Sequence, residues 1–264
     1  MELGLKGRRA LVTGGALGIG QAIALDLARE GALVYIASRK ADALQKTLDL
    51  LAGIAPGHAG SACEIERDGE PRQLVERVRA DFGEPDILVN NVGHTQDVTD
   101  PYCPLSDWRR VFRLNFEVAV EMSNLVLPHM KAQDWGRIVN ITAGSALENN
   151  GPVTYCASKA AITAYTRSMG RILALETSNV VMSGVMPGVV LTEGGYWDGV
   201  LRERPEHAEK YLQERTVLRR FGQPSEISPT VVMLCSEKAS FCQGCIFLVD
   251  AGQARHFMYH AFMS

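Results

Sequence analysis

The sequence predicts an α/β protein: one doubly wound domain in which a parallel sheet of about seven strands is covered by helices on both faces. Three observations predict it. Apolar strand-like runs at 10–13, 33–37, 87–90, 137–141, 180–185 and 246–249, with a weaker one at 60–63, alternate with helical segments, and such alternation builds βαβ units. The first run passes directly into a glycine turn and then a helix-periodic set, Ile23, Ala24, Leu27 and Ala28. At 264 residues and 46% hydrophobic, the chain can bury one sizeable core, and no linker, repeat or composition shift divides residues 1–264 into further domains.

In the first unit, Thr13 is followed by Gly14, Gly15, Gly18 and Gly20. A turn that delivers free backbone N–H groups at a helix N-terminus holds phosphate or pyrophosphate, and glycine lets a ligand approach the backbone. Right-handed crossovers place the carboxyl ends of the strands along one edge, where ligands bind. The second strand ends in Ser38, Arg39 and Lys40. An acidic residue there would accept hydrogen bonds from free ribose hydroxyls; Ser38 and Arg39 can instead donate to a 2′-phosphate, which favours NADP(H) over NAD(H). A solvated Arg39–Lys40 pair on a loop is the plainer alternative. Residues 69–82 form an amphipathic helix through Leu74, Val75, Val78 and Phe82. A long helix then starts near Ser106, read as its N-cap. Asn115 lies on it among apolar neighbours, where a buried amide must find partners.

Tyr155 and Lys159 are four residues apart in an alanine-rich segment, so both fall on one helix face. A tyrosine titrates near ~10 when free, and a neighbouring ammonium lowers that value, making the pair a candidate general acid and base. Ser225 is read as the cap of a late helix. The formal net charge of −3, with scattered Lys and Arg, gives no reason to expect nucleic acid or an anionic membrane as partner. The opening MELGLKGRR has no long apolar region and no run is long enough to span a bilayer, so a soluble, cytoplasmic protein is expected. The six cysteines are expected to be reduced packing residues, and Cys242 and Cys245, though C-x-x-C, have no second pair to make a metal site. Asn140 opens a glycosylation sequon but ends a buried strand, so no modification is expected there.

The turn T-G-x-x-x-G-x-G, the bend Asn90-Asn91-Val92-Gly93 and the Y-x-x-x-K of Tyr155 and Lys159, in that order and from Gly7 to about Gly252, resemble the short-chain dehydrogenase/reductase family. The resemblance implies a Rossmann-like domain that moves hydride between a nicotinamide cofactor and a secondary alcohol or ketone, in a homotetramer. It implies cofactor contacts at Gly14, Leu17, Gly18 and Ile19, at Glu64 and Ile65 beside the adenine, and at Asn91, Val92 and Gly93. Tyr155 and Lys159 contribute too, as do Gly188, Val190 and Thr192 near the nicotinamide and its phosphates. Leu17 stands where many NADP-preferring relatives carry a second basic residue. Asn115 matches the residue that joins a water-linked proton path to the catalytic Lys. The family serine that hydrogen-bonds the substrate oxygen is displaced: counting back from Tyr155 reaches Thr142, counting on from the strand reaches Ala143, and the first serine thereafter is Ser145. Thr142 is the expected donor and Ser145 the alternative.

Polar candidates for the substrate pocket are His94, Gln96, Ser145, Glu148, Asn149 and Asn150, which suit a hydroxylated, sugar- or polyol-like substrate. NAD(H) dependence or a 3-oxoacyl-type ketoreductase is the alternative. A cofactor-binding scaffold or sensor with impaired catalysis is the alternative of another class, and intact Tyr155, Lys159 and Asn115 speak against it. Cofactor-free halide elimination, known in relatives that lose the Lys and the glycine turn, is disfavoured for the same reason. Residues 193–215 are expected to be a mobile lid, and the apolar tail 253–264 to pack across a subunit boundary.

Overall fold

The computed structural model describes residues 2–148 and 150–254. Its first half runs β1 (Arg9–Thr13), α1 (Gly18–Arg29), β2 (Leu33–Ser38), α2 (Ala41–Ala52), β3 (Ala59–Ala62), α3 (Glu70–Asp81) and β4 (Ile87–Asn90). Next, α4 (Leu105–Phe112) continues through a π-helical turn (Arg113–Glu117) into α5 (Val118–Ala132). β5 (Gly136–Ile141), α6 (Ser145–Glu148), α7 (Val153–Glu176) and β6 (Val180–Pro187) follow. The chain closes with α8 (Tyr196–Glu203), α9 (Pro205–Arg215), α10 (Pro224–Leu234), a 3-10 turn at Glu237–Ala239 and β7 (Ile246–Val249).

The described strands form one parallel sheet of seven in the order β3-β2-β1-β4-β5-β6-β7. The chain leaves β1 in one direction and resumes at β4 in the other, and this reversal opens a crevice beyond the carboxyl ends of the two strands. β4, β5 and β6 are buried at every position, as continuous apolar runs require when both sheet faces are covered. Side chains alternate across the pleat: Val12 enters a core with Ile23, Leu27, Val231 and Leu234 of α1 and α10. Leu11, its neighbour, enters the opposite core with Leu74, Val78, Met122 and Leu173 of α3, α5 and α7.

At the amino edge, Arg137 is wholly buried. Its guanidinium donates to the carbonyls of Ser236, Gly136 and Asn179 and to the Asn179 side chain, and it lies 4.6 Å over the Trp135 ring. A surface depression of about 550 Å³ lies on this edge near Lys131 and Ser178, away from the crevice.

Two expected caps are corrected. Ser106 lies inside α4, whose N-cap is Pro104 at φ −64 and ψ 159, an extended residue fixed by its ring. Ser225 lies inside α10; the cap is Gln223, paired with Glu226 in a reciprocal capping box. Residues 193–215 fold as α8 and α9 around a small core of their own, Val200, Ala208 and Phe221 packed with Trp197. Trp197 is therefore a packing residue, 4.3 Å from Tyr211 and 5.2 Å from Phe221 between ring centroids. Of the tail, Gln253 accepts from the Val189 N–H and donates to the Tyr211 hydroxyl; residues 255–264 and Asn149 lie outside the described residues. No helix among the described residues is long and apolar enough to cross a membrane.

Candidate active site

The crevice floor is the turn between β1 and α1. Gly18 adopts φ +55, a backbone that side chains rarely take, and a Cβ on Gly20 would stand 2.2 Å from the Gly14 carbonyl oxygen. α1 begins with no side-chain cap and no acidic residue in its first turn, so its leading N–H groups and positive dipole end stay available to an anion. Gly14, Leu17, Gly18 and Ile19 are each partly open at this rim. The turn is clamped from β4: Asn91 donates to the carbonyls of Thr13 and Gly14, and its N–H donates to the Thr13 hydroxyl. Thr13 in turn donates to the Val89 carbonyl. The residues present fit a dinucleotide's diphosphate, and the open glycine approach supports that fit.

Around this floor, Ser38 and Arg39 stand at the end of β2. Ser38 accepts from the Lys40 N–H, which leaves its hydroxyl proton free. Glu64 is exposed and paired with Arg67, whereas Ile65 is 4% exposed and packs in the core with Leu11 and Ala37. From the far side, the Gly188 N–H bonds the Val249 carbonyl and Val190 bridges to Gly222. The chain then crosses the floor. A Cβ on Gly18 would meet Thr192 Cγ2 at 2.8 Å, and one on Gly194 would lie 4.0 Å from Lys40 Nζ. Thr192, just before the expected lid, therefore covers the glycine turn, and Gly194 at the start of that segment comes near Lys40 on the β2 loop.

A second cluster surrounds Gly93. A Cβ built there would lie 2.7 Å from Lys159 Nζ and 2.9 Å from Asn115 Oδ1, so both groups converge on one point. Asn115 is 2% exposed and sits in the π-helical turn, where widening of the helix frees a carbonyl. Its amide fills that gap by donating to Val111 O, donates also to His94 O, and accepts from the His94 N–H. His94 Nδ1 accepts from the Gln96 N–H, which makes Nε2 the protonated nitrogen of the neutral ring. α7 carries Tyr155 and Lys159 one turn apart, with Lys159 Nζ 5.7 Å from the Tyr155 ring centre and donating to the Ile141 carbonyl at 3.0 Å.

The expected lowering of the phenol by the ammonium is not what this geometry produces. Burial pushes Tyr155 up to about 12, with Cys156 adding to the rise, although the residue keeps some exposure to solvent. Burial pulls Lys159 down to about 8. The amine turns to the Ile141 carbonyl, so desolvation outweighs attraction between the pair.

Thr142 needs a second correction. It is 3% exposed, and its hydroxyl donates to the Val185 carbonyl at 3.3 Å, beside the β5–β6 ladder bond from its own N–H. Its donor is directed into the sheet. Ser145, at the start of α6, is partly open; a Cβ on Gly151 would lie 3.4 Å from its Oγ and 3.6 Å from Cys156 Sγ. Glu148 ends α6 and is half-buried. Sequence reasoning missed two further polar elements. One is the Thr13 clamp, signalled by a hydroxyl residue ending a strand beside a glycine turn. The other is a buried ladder in which Asn90 donates to Asn140 and Asn140 to Thr166, which puts the Asn140 sequon inside the protein.

Against known proteins, the family model for short chain dehydrogenase matches residues 8–195. The chain is 34% identical over 253 residues to the 7alpha-hydroxysteroid dehydrogenase of Escherichia coli, covering 95% of this chain and 96% of that one. It is 32% identical over 251 residues to a 3-oxoacyl-[acyl-carrier-protein] reductase of Pseudomonas aeruginosa, covering 95% and 98%. Among solved structures, L-sorbose reductase from Gluconobacter frateurii, complexed with NADPH and L-sorbose, superposes with a TM-score of 0.89 at 26% identity, covering 97% and 99%.

Proposed function

Because this chain belongs to the short-chain dehydrogenase family, and is thereby an oxidoreductase acting on CH–OH groups, we propose that it reduces the ketone of a hydroxylated substrate with NADPH as preferred cofactor. The observation that carries the reading is the convergence of Lys159 Nζ and Asn115 Oδ1 over Gly93, next to His94, with the Tyr155 ring 5.7 Å from the same Nζ.

When bound, the nicotinamide supplies the hydride. The protein holds the dinucleotide and manages one proton. The α1 N-terminus and the glycine turn hold the diphosphate, Thr192 closes over it, and Ser38 with Arg39 takes the 2′-phosphate. Tyr155, a neutral phenol throughout the physiological range, donates its proton to the substrate oxygen. Lys159 can hold or release a proton near neutral pH and returns one toward Tyr155, through a water held at Asn115 Oδ1 and the His94 loop. Ser145, rather than Thr142, orients the substrate oxygen, and His94 Nε2 donates to a neighbouring hydroxyl. The resting protonation of Tyr155 suits reduction. The sorbose reductase likeness supports a hydroxylated substrate; the Pseudomonas relative favours a 3-oxoacyl thioester as second reading. A homotetramer is the expected assembly, supported by Ile172 and Leu175 of α7 and by Phe241, large apolar side chains left exposed in the single chain.

The test is a panel of sugar, polyol, steroid and 3-oxoacyl carbonyl compounds, followed by nicotinamide absorbance with both cofactors in wild type and Tyr155→Phe. The variant should bind NADPH normally and lose roughly 10²–10⁴ in kcat. NADPH binding with no turnover of any compound would favour a cofactor-binding scaffold, and equal use of NADH would remove the Arg39 assignment.

A further inference from the structure

Arg39 does not stand alone at the end of β2. Glu66, on the loop after β3, holds its carboxylate 3.9 Å from the Arg39 guanidinium, with the two side chains 31% and 55% exposed. The separation is too long for a hydrogen bond, and the Arg39 guanidinium donates none to any described residue. Its fork of N–H groups is free to take an anion. Glu66 is nevertheless held in place. Its carbonyl accepts from Arg113 Nε at 3.0 Å, and Arg113 directs its charge to Glu121 at 2.9 Å. The neighbouring carboxylate, Glu64, is taken by Arg67. Arg39 is therefore the cation that the Glu66 carboxylate faces among the described residues.

From this arrangement we infer that Glu66 is a specificity-determining residue that weakens the grip of Arg39 on a 2′-phosphate and so narrows the margin between NADPH and NADH. A doubly charged phosphate delivered to Arg39 meets the Glu66 carboxylate, whose backbone Arg113 anchors, at the same place. The two anions compete for one guanidinium and repel each other. A ribose with free hydroxyls carries no such charge, and Glu66 can accept a hydrogen bond from it. An acidic residue absent from the end of β2 is thus supplied from the next loop, at a distance that tempers the basic residue without blocking it. This inference rests on the cofactor reading above and adds to it the residue that sets its margin.

Dissociation constants for NADPH and NADH, measured by titration calorimetry on the full chain without substrate, test it in four proteins: wild type, Glu66→Gln, Arg39→Ala and the double variant. Glu66→Gln should tighten NADPH by about three- to tenfold, as suits a solvent-exposed pair facing a divalent anion. Its NADH constant should stay within about twofold or weaken, and raised salt should shrink the NADPH gain. In the Arg39→Ala background the Glu66→Gln gain should vanish. A Glu66→Gln that changes neither constant, changes both equally, or keeps its gain without Arg39 overturns the inference while leaving the cofactor reading intact. An Arg39→Ala protein with undiminished NADPH affinity overturns that reading and the inference with it.

Discussion

Lys159 should cost the folded protein stability, and replacing it should return some. The side chain is 3% exposed and its charge has one acceptor among the described residues, the Ile141 carbonyl at 3.0 Å. Burial lowers its pKa from 10.5 to about 8. Each pKa unit corresponds to about 1.36 kcal/mol, so carrying the buried ammonium at neutral pH costs roughly 3 kcal/mol. Lys159→Met keeps the length of the stem, removes the charge and gives up one hydrogen bond worth about 1–2 kcal/mol. The variant should therefore be more stable by about 1–2 kcal/mol, a Tm rise of about 2–6 °C for a chain of this size, while losing turnover.

The sign with pH follows from the direction of the shift. Below about pH 8 the lysine is charged in both states and the folded form bears the full cost. Between about 8 and 10.5 the unfolded chain binds the proton and the folded chain does not, so wild-type stability rises with pH and the variant's advantage fades. Tyr155 titrates higher still, at about 12, and is common to both proteins. Urea unfolding of the ligand-free proteins at pH 7 and pH 10 measures the gap. A Lys159→Met protein less stable than wild type at pH 7, with a difference that does not move by pH 10, would refute the reasoning.

Gly93→Ala places a Cβ 2.7 Å from Lys159 Nζ and 2.9 Å from Asn115 Oδ1, so one of them must retreat; kcat should fall about ten- to a hundredfold, checked by steady-state kinetics. Arg137→Ala strips partners from the buried carbonyl of Ser236 and the half-buried carbonyl of Asn179 and empties a large site, which should lower unfolding free energy by about 3 kcal/mol or more in a urea titration. His58 Nδ1 accepts the Val34 N–H and burial lowers the ring's pKa, so its contribution is present above about pH 6.5 and lost as pH falls below that value. His58→Asn, which can accept the same bond, should flatten the decline in stability between pH 7 and pH 5.

The central strands were legible because each is a short apolar run buried on both faces, whereas the half-buried Ala-Gly-Ser-Ala of β3 left a weaker signal; the order of glycine turn, Asn-Asn bend and Tyr–Lys pair located the crevice. What depends on distant contacts was not legible. Nothing in Leu114-Asn115-Phe116 announces a π-helical turn; it forms because the Asn115 side chain can serve Val111 and His94 together. Thr142 was selected by its distance from Tyr155 along the chain, but its rotamer answers to β6, where the Val185 carbonyl takes both its N–H and its hydroxyl. Ser106 and Ser225 have good capping side chains. Pro104 and the Gln223–Glu226 box each set the cap two residues earlier, through a fixed φ in one case and a reciprocal pair of bonds in the other.

The polar groups that local sequence cannot explain collect where β1, β4 and β5 end. Thr13, Asn90, Asn115, Asn140, Thr142 and Lys159 are all buried there, where polar side chains lower stability unless paired. Most are paired with one another or with backbone, and those bonds fix the bend at Asn91 and Gly93 against the glycine turn. The Lys159 ammonium stays only partly compensated. A protein selected for stability alone would place an apolar side chain at 159. Retaining an amine whose proton affinity burial has brought near neutrality makes sense if that proton moves, and this ties the stability deficit and the proposed proton delivery to the same atom.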